Sequence, residues 1–267
     1  MQTCKTKIMG VLNANEDSFF KESRFDIKEA SFKIEKMIEN GANIIDIGAV
    51  SSKPGSIEVD EKVELERLKN IVDTIYKERY FEKIDFSIDS YSPLVIDYVL
   101  NKGFKIVNDI TGLANDEVCK ISAKYNAKVI IMHMQNKPSN MQEKPEYKNV
   151  VLDIDEYFKK QIQKAKSFGI KDIALDVGIG FGKTLEHNLL LLNKLEYFKH
   201  FGYELLIGAS RKSMIDMITP CEIKDRLPGT LAIHLESVNR GASIIRCHDV
   251  YEHFQALKVQ EAINSIS

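Results

Sequence analysis

Apolar runs in this sequence repeatedly end in a side chain that can hydrogen-bond or carry charge. In order, those residues are Asn13, Asp46, Asp89, Asn108 with Asp109, His133, Asp176, the set Ser210-Arg211-Lys212-Ser213, and Arg246 followed by His248 and Asp249. An Asp or Asn after a strand commonly makes a turn or caps the next helix, and for any single one that is the simpler reading. So many polar ends are harder to explain by capping alone. Their charges also segregate: carboxylates and amides come early, while Arg211, Lys212, Arg246 and His248 come late. An Arg fork beside a Lys and a His suits a phosphate or diphosphate, and Asn13 can contact the same group or its metal. Asp89 and Asp176, with Asn108 between them in order, suit the N–H-rich edge of an aminopyrimidine ring, as Asp and Asn read base edges. Met132, Ile110 and Phe181 would wall such a flat ring, and Lys212 would pack over its π face. The plainer alternatives are that Met132 and Ile110 are core residues and that Arg211 and Arg246 are surface ion-pair partners.

Other chemistries are disfavoured. Gly178-Ile179-Gly180-Phe181-Gly182-Lys183-Thr184 approaches a P-loop, but that motif needs a glycine five positions before Gly182, where Val177 stands. These glycines read instead as a tight turn that lets backbone approach a ligand. His133, His187 and Asp153 lack the spacing of a catalytic zinc site. The four cysteines, Cys4, Cys119, Cys221 and Cys247, form no C-x-x-C pair and point to a reducing cytoplasm. With 37 Lys+Arg against 39 Asp+Glu, the net charge of −2 argues against a nucleic-acid or membrane partner, so any anion site must be a local cluster. The apolar run at residues 8–12 is too short for a signal peptide or a membrane span.

The elements that must position these residues follow from periodicity. Strand-type runs recur at residues 8–12, 44–47, 86–88, 105–107, 129–132, 173–175, 205–207 and 244–245. Helical spacing links Ile27, Ala30, Ile34 and Met37 up to a stop at Gly41, and places Val59, Val63, Leu68, Val72 and Ile75 on one face of a longer helix. Alternation of this kind implies parallel strands joined by crossover helices. Gly41-Ala42-Asn43-Ile44-Ile45-Asp46 and Gly241-Ala242-Ser243-Ile244-Ile245-Arg246 even share their wording. Eight units of roughly 33 residues approach the ~250 residues of an eight-fold barrel. The expectation is an α/β chain folded as a single-domain eight-fold (β/α) TIM barrel over residues 1–267, with a long loop at 136–149 carrying Pro138 and Pro145. Active sites in that barrel lie at the C-terminal strand ends, and phosphate sites often lie at the last two strands.

Taken in order, these segments resemble the dihydropteroate synthase family along nearly the whole chain. The resemblance is carried by Met9-Gly10-Val11-Leu12-Asn13 with Asp17-Ser18-Phe19, by Gly41 to Gly48 with Ser51-Ser52-Lys53-Pro54-Gly55, and by Ser87-Ile88-Asp89-Ser90. It continues through Val107-Asn108-Asp109-Ile110, Met132-His133-Met134-Gln135, Asp176 to Thr184, Gly208 to Ser213, and Arg246-Cys247-His248-Asp249-Val250. It implies an enzyme of folate synthesis that joins 4-aminobenzoate to the methylene carbon of a dihydropterin methyl diphosphate, releasing diphosphate. It further implies that Asp89, Asn108 and Asp176 bind the pterin edge, with Ile110, Met132, Gly180, Phe181 and Lys212 around the ring. Asn13, Arg246 and His248 would hold the diphosphate, Asn13 also contacting Mg²⁺. Arg246, His248, Lys212 and Asn13 would thus carry the catalysis. Phe19, Ser52, Lys53, Pro54, Phe181, Lys212 and Ser213 would shape the aminobenzoate pocket, the sulfonamide target of the family. A cytoplasmic homodimer is implied as well.

The chain also departs from the family pattern. Lys21 stands where an acidic residue is usual, with Glu22 beside it, and Ser52-Lys53 replaces Thr-Arg, which loses the planar Arg fork. Val177 replaces a proline. Two other readings share part of the pattern. A methyltetrahydrofolate-binding methyltransferase domain would have no diphosphate for the late cations to hold, and a non-catalytic pterin-binding protein would have no need of leaving-group residues.

Overall fold

Each apolar run forms a strand because its Ile- and Val-rich sequence is bounded by helix stops and turn residues. A computed structural model describes the chain apart from residues 1–4, 15–23, 52–54, 57–58, 137–139, 142 and 267, and gives the backbone alone for residues 24–27. The strands are β1 (Lys7–Asn13), β2 (Ile44–Gly48), β3 (Asp85–Asp89), β4 (Ile106–Asp109), β5 (Lys128–Met132), β6 (Ile173–Asp176), β7 (Glu204–Ile207) and β8 (Ile244–Cys247). They pair in parallel in sequence order, and β8 closes on β1. Around them run α1 (Arg24–Glu39), α2 (Glu61–Lys77), α3 (Pro93–Asn101), α4 (Asp116–Lys124), α5 (Val150–Ser167) and α6 (Leu185–Asn193). Two helices, α7 (Ser213–Ile218) and α8 (Leu227–Asn239), separate β7 from β8, and α9 (Val250–Asn264) follows β8. The expected single-domain (β/α) barrel is the observed fold.

Alternation along each strand divides the core in two. Met9, Ile44, Ile106, Ile130, Ala174, Leu206 and Ile244 meet one another inside the barrel. Their neighbours Ile8, Ile45, Val107, Val129, Ile131, Ile173, Leu205 and Ile245 face the helices in the larger core. A strand returns to the same face after two residues. Two positions beyond Ile44, Ile106, Ala174 and Ile244 stand Asp46, Asn108, Asp176 and Arg246. The apolar plug is thus the layer directly beneath the polar one. Below the plug, the N-terminal end of the barrel is closed by ions: Lys7 pairs with Glu204 at 2.8 Å, and Lys128 pairs with Asp172 at 3.1 Å and also with Glu204.

Local signals fix the helix starts. Ser92, Asn115, Asn149 and Thr184 each accept a backbone N–H of the helix they precede, which satisfies donors that the first turn leaves unpaired. One helix face differs from expectation. α2 begins after the cap at Asp60 and buries Glu64, Leu68, Ile71, Val72 and Ile75, while Val63 is exposed and Val59 precedes the helix. Of the described residues, none forms a helix long and apolar enough to cross a membrane. Replacing the fully buried Ile130 of the plug, as Ile130→Ala, should cost about 2–5 kcal/mol, read as a lower urea midpoint.

Candidate active site

At the C-terminal mouth, one guanidinium joins three strands. Arg246 of β8 donates from Nε to Asp46 Oδ2 of β2 at 2.6 Å and from Nη2 to Asp89 Oδ2 of β3 at 2.7 Å. Asn108 Nδ2 of β4 donates to the same Asp46 oxygen at 3.0 Å. Strand register brings these groups together: Asp89 stands opposite Asn108, and Asp46 opposite Ser87, one layer below Asp89. Asp46 is fully buried, and its Oδ1 has no hydrogen-bond partner among the described residues. Burial opposes the charge on Arg246, but Asp46 and Asp89 outweigh it and make the guanidinium more basic than usual. Burial pushes Asp89 up to about 7, against the pull of Arg246 and with a further push from Asp46. One cation here serves two acids.

Across the mouth, Asp176 Oδ1 accepts the N–H of Gly178 at 2.8 Å, which starts the turn after β6. Gly178 has φ +69°, and a Cβ there would lie 1.9 Å from His133 O, so this crossing admits only glycine. Lys183 locks the turn from beneath. Its Nζ donates to the carbonyls of Phe181 at 2.9 Å, Gly178 at 3.0 Å and His133 at 3.2 Å, and stands 3.1 Å from His133 Nδ1. Burial lowers Lys183 to about 7. Burial and then Lys183 lower His133 to about 2, which leaves its imidazole neutral and able to accept. From the loop after β7, Lys212 donates to Ile179 O and holds its ammonium 4.4 Å from the Phe181 ring centroid. A Cβ on Gly180 would lie 3.0 Å from Lys212 Cδ, so the bare glycine makes room for that stem. Burial lowers Lys212 to about 8, while Asp176 acts in the opposite direction. Asp176 is raised by burial and lowered by Lys212.

The structure therefore gathers Asp89, Asn108 and Arg246 on one side and Asp176, Gly180, Phe181 and Lys212 on the other. Met132 stands opposite Asp176 in register, and both Met132 and Ile110 are buried. Asn13 is exposed at the end of β1, and Ser213 is exposed at the start of α7. His248 is exposed, with Nδ1 2.9 Å from Ser210 Oγ. Phe19, Ser52, Lys53 and Pro54 lie outside the described residues, as do Lys21 and Glu22.

Two expectations are corrected. Arg211 does not join the cationic group, because it forms a two-point ion pair with Asp249, with Nε 3.0 Å from Oδ2. The surface ion-pair reading was right for Arg211. Asp109 faces neither ligand nor mouth: its carboxylate accepts from Thr111 N, Thr111 Oγ1 and Leu113 N and shapes the loop after β4. Two residues were underread. Asp46 had no assigned role, although a carboxylate inside Ile-Ile-Asp-Ile is a signal that it needs a buried partner. Lys183 was set aside with the failed P-loop spacing, and nothing in the sequence shows which carbonyls it would collect.

The raised pKa of Asp89 has a definite sign. Its folded value of about 7 exceeds the ordinary carboxylate value of 3.8, so its contribution to stability is full below pH 3.8 and is lost as pH rises through 7. Urea midpoints measured from pH 4 to 8 should therefore shift in favour of Asp89→Asn, relative to wild type, as pH rises.

The family model for pterin binding enzymes matches residues 9–248. Dihydropteroate synthase of Haemophilus influenzae is 39% identical over 96% of this chain and 93% of its own. The bifunctional dihydropteroate synthase/dihydropteroate reductase of Helicobacter pylori is 41% identical over 96% of this chain and 68% of its own. Among solved structures, Yersinia pestis dihydropteroate synthase with a sulfonamide drug complex has a TM-score of 0.91 at 35% identity, covering 98% of this chain and 95% of that one. Thermus thermophilus dihydropteroate synthase in complex with 4-aminobenzoate has a TM-score of 0.86 at 32% identity, covering 97% and 95%. The chain belongs to the pterin-binding enzyme family and carries the transferase activity of the dihydropteroate synthases in folate biosynthesis.

Proposed function

We propose that residues 1–267 act as one unit in which the two sides of the mouth divide the reaction. Asp89, Asn108 and Asp176 take the N–H edge of the dihydropterin, between the Met132 and Ile110 wall and the Lys212–Phe181 pair. Arg246, His248 and Asn13 take the diphosphate. The 4-aminobenzoate ring stands against Phe181, Lys212 and Ser213, with Phe19, Ser52, Lys53 and Pro54 assigned to the same pocket by resemblance. The observation that carries this reading is geometric: Arg246 bonds Asp46 and Asp89 while Asn108 bonds the same Asp46, and Asp176 stands in the same inward-facing layer at the strand ends. A ring donor face and an anion can therefore share one mouth.

The chemistry follows from the side chains. The arylamine nitrogen attacks the pterin methylene carbon, the carbon–oxygen bond to diphosphate breaks, and the amine proton passes to water or to diphosphate. An arylamine is already nucleophilic, so no Ser/His/Asp activation is needed. Arg246 and His248 stabilise the charge that grows on the leaving oxygens, and the enclosing walls hold the two reactants in line. The residues also fit Mg²⁺. Among the described residues no cluster of three His, Cys, Asp or Glu could hold a metal alone, and the exposed Asn13 offers one hard oxygen. Mg²⁺ commonly takes few protein ligands together with substrate phosphates. When bound there it would supply further neutralisation of the diphosphate. The reading includes a cytoplasmic homodimer, for which the exposed Leu189 and Leu190 of α6 and Met217 and Ile218 of α7 offer apolar area.

Purified protein incubated with dihydropterin methyl diphosphate, 4-aminobenzoate and Mg²⁺ should release dihydropteroate and diphosphate in equal amounts. Arg246→Ala should lower kcat by about 100-fold or more. Wild-type turnover in that variant would remove leaving-group stabilisation from the account, and tight pterin binding without product would favour a binding protein.

A further inference from the structure

Beneath the loops that follow β7 and β8, two buried histidines form a link that the reaction does not itself require. His234 of α8 and His253 of α9 are each 1% exposed. The N–H of Ala209, at the start of the loop carrying Lys212, donates to His234 Nε2 at 3.0 Å. That nitrogen must accept, so the His234 proton sits on Nδ1 and is donated to His253 Nε2 at 2.8 Å. The His253 proton then sits on Nδ1 and is donated to Asp249 O at 2.6 Å, in the segment that carries His248. A single pair of neutral tautomers satisfies every member, and an added proton would set donor against donor. Burial lowers the affinity of both rings for that proton. His253 and Lys212 reinforce this at His234, while Asp249 and Glu252 oppose it at His253.

The relay joins the two loops at a depth that the other contacts between them do not reach. Thr230 Oγ1 accepts the N–H of Arg211, and Arg226 donates to Arg211 O, but both anchor the loop after β7 only to its own helix and the segment before it. The Arg211–Asp249 and Ser210–His248 contacts cross between the two loops at the more exposed level. The histidine pair crosses between them in the buried layer. Apolar side chains at 234 and 253 would fill the space, yet would strand the Ala209 N–H and leave the Asp249 carbonyl with only the His253 backbone N–H at 3.2 Å. We propose that His234 and His253 are positioning residues that fix the separation between the Lys212 loop and the His248 loop, and through it the shape of the diphosphate cradle. This rests on the assignment of the diphosphate to Arg246 and His248.

The test uses the full chain, with inorganic diphosphate and Mg²⁺ as the calorimetric probe and with steady-state kinetics alongside. His234→Leu should weaken diphosphate binding and raise KM for the diphosphate substrate by about tenfold. His234→Gln should recover most of the loss, since its amide can accept from Ala209 and donate to His253. Wild-type diphosphate binding by a folded His234→Leu, with only a lower Tm, would overturn the proposal. If His234→Leu does not fold, His253→Asn cuts the relay while keeping the Asp249 bond, and wild-type diphosphate binding in that variant would overturn it equally. His248→Ala separates the two levels. Undiminished diphosphate binding there removes the cradle assignment and the proposal with it, whereas loss in His248→Ala with retention in His234→Leu removes the relay alone.

Discussion

Arg246 donates at 2.6 Å to Asp46 and at 2.7 Å to Asp89, and much of the arrangement of the mouth depends on that shared cation. Two carboxylates this deep would be untenable without it, because a buried charge left unpaired costs several kcal/mol on the order of 3–5. The pairing also ties β8 to β2 and β3 across the barrel mouth, so the geometry is set by strands rather than by loops. A site built on strand ends is more precise than one built on mobile connections. These two bonds use only part of the Arg246 fork, so an anion at the mouth can be met without first breaking the link to Asp46.

The polar layer was legible in the sequence because it obeys the strand period. Asp46, Asn108, Asp176 and Arg246 follow Ile44, Ile106, Ala174 and Ile244 by two residues, and each pair of positions faces inward together. Arg211 and Arg246 looked alike because each follows an apolar run. What separates them is parity and backbone. Arg246 lies within β8 on the inward face, whereas Arg211 lies beyond β7 with φ +57°, in a turn that aims it at Asp249. Pairings of this kind depend on distances between strands far apart in sequence, and no local pattern encodes them. The same applies to the contacts of Lys183 with His133, which follows β5 fifty residues earlier in the chain.

The two halves of the mouth are stiff for different reasons. The Asp46–Arg246–Asp89 side is held by charge, in a region where burial strengthens every electrostatic contact. The Asp176 side is held by backbone: Gly178 lets the loop after β6 touch the end of β5, and Lys183 fastens the carbonyls of both. Phe181 and Lys212 then stack on a surface that is already fixed. The overall balance of −2 conceals this, since the acids and bases of the mouth largely neutralise one another within the barrel.

That internal neutrality bears on how the reaction is driven. If the cations of the mouth were unopposed, they would bind any phosphate tightly and gain little when charge moves onto the leaving oxygens, because equal binding of ground and transition states does not speed the chemical step. Asp46 and Asp89 temper Arg246, and Asp176 tempers Lys212, so the field at rest is small. It grows in effect only as the carbon–oxygen bond breaks and the diphosphate takes up its full charge. Fixed dipoles and charges that need not reorient at that moment are what make such a site efficient. Rigid loop separation after β7 and β8 therefore matters as much as the charges: a cradle that relaxed around the intact substrate would hold it as tightly as the separating diphosphate and lose the difference.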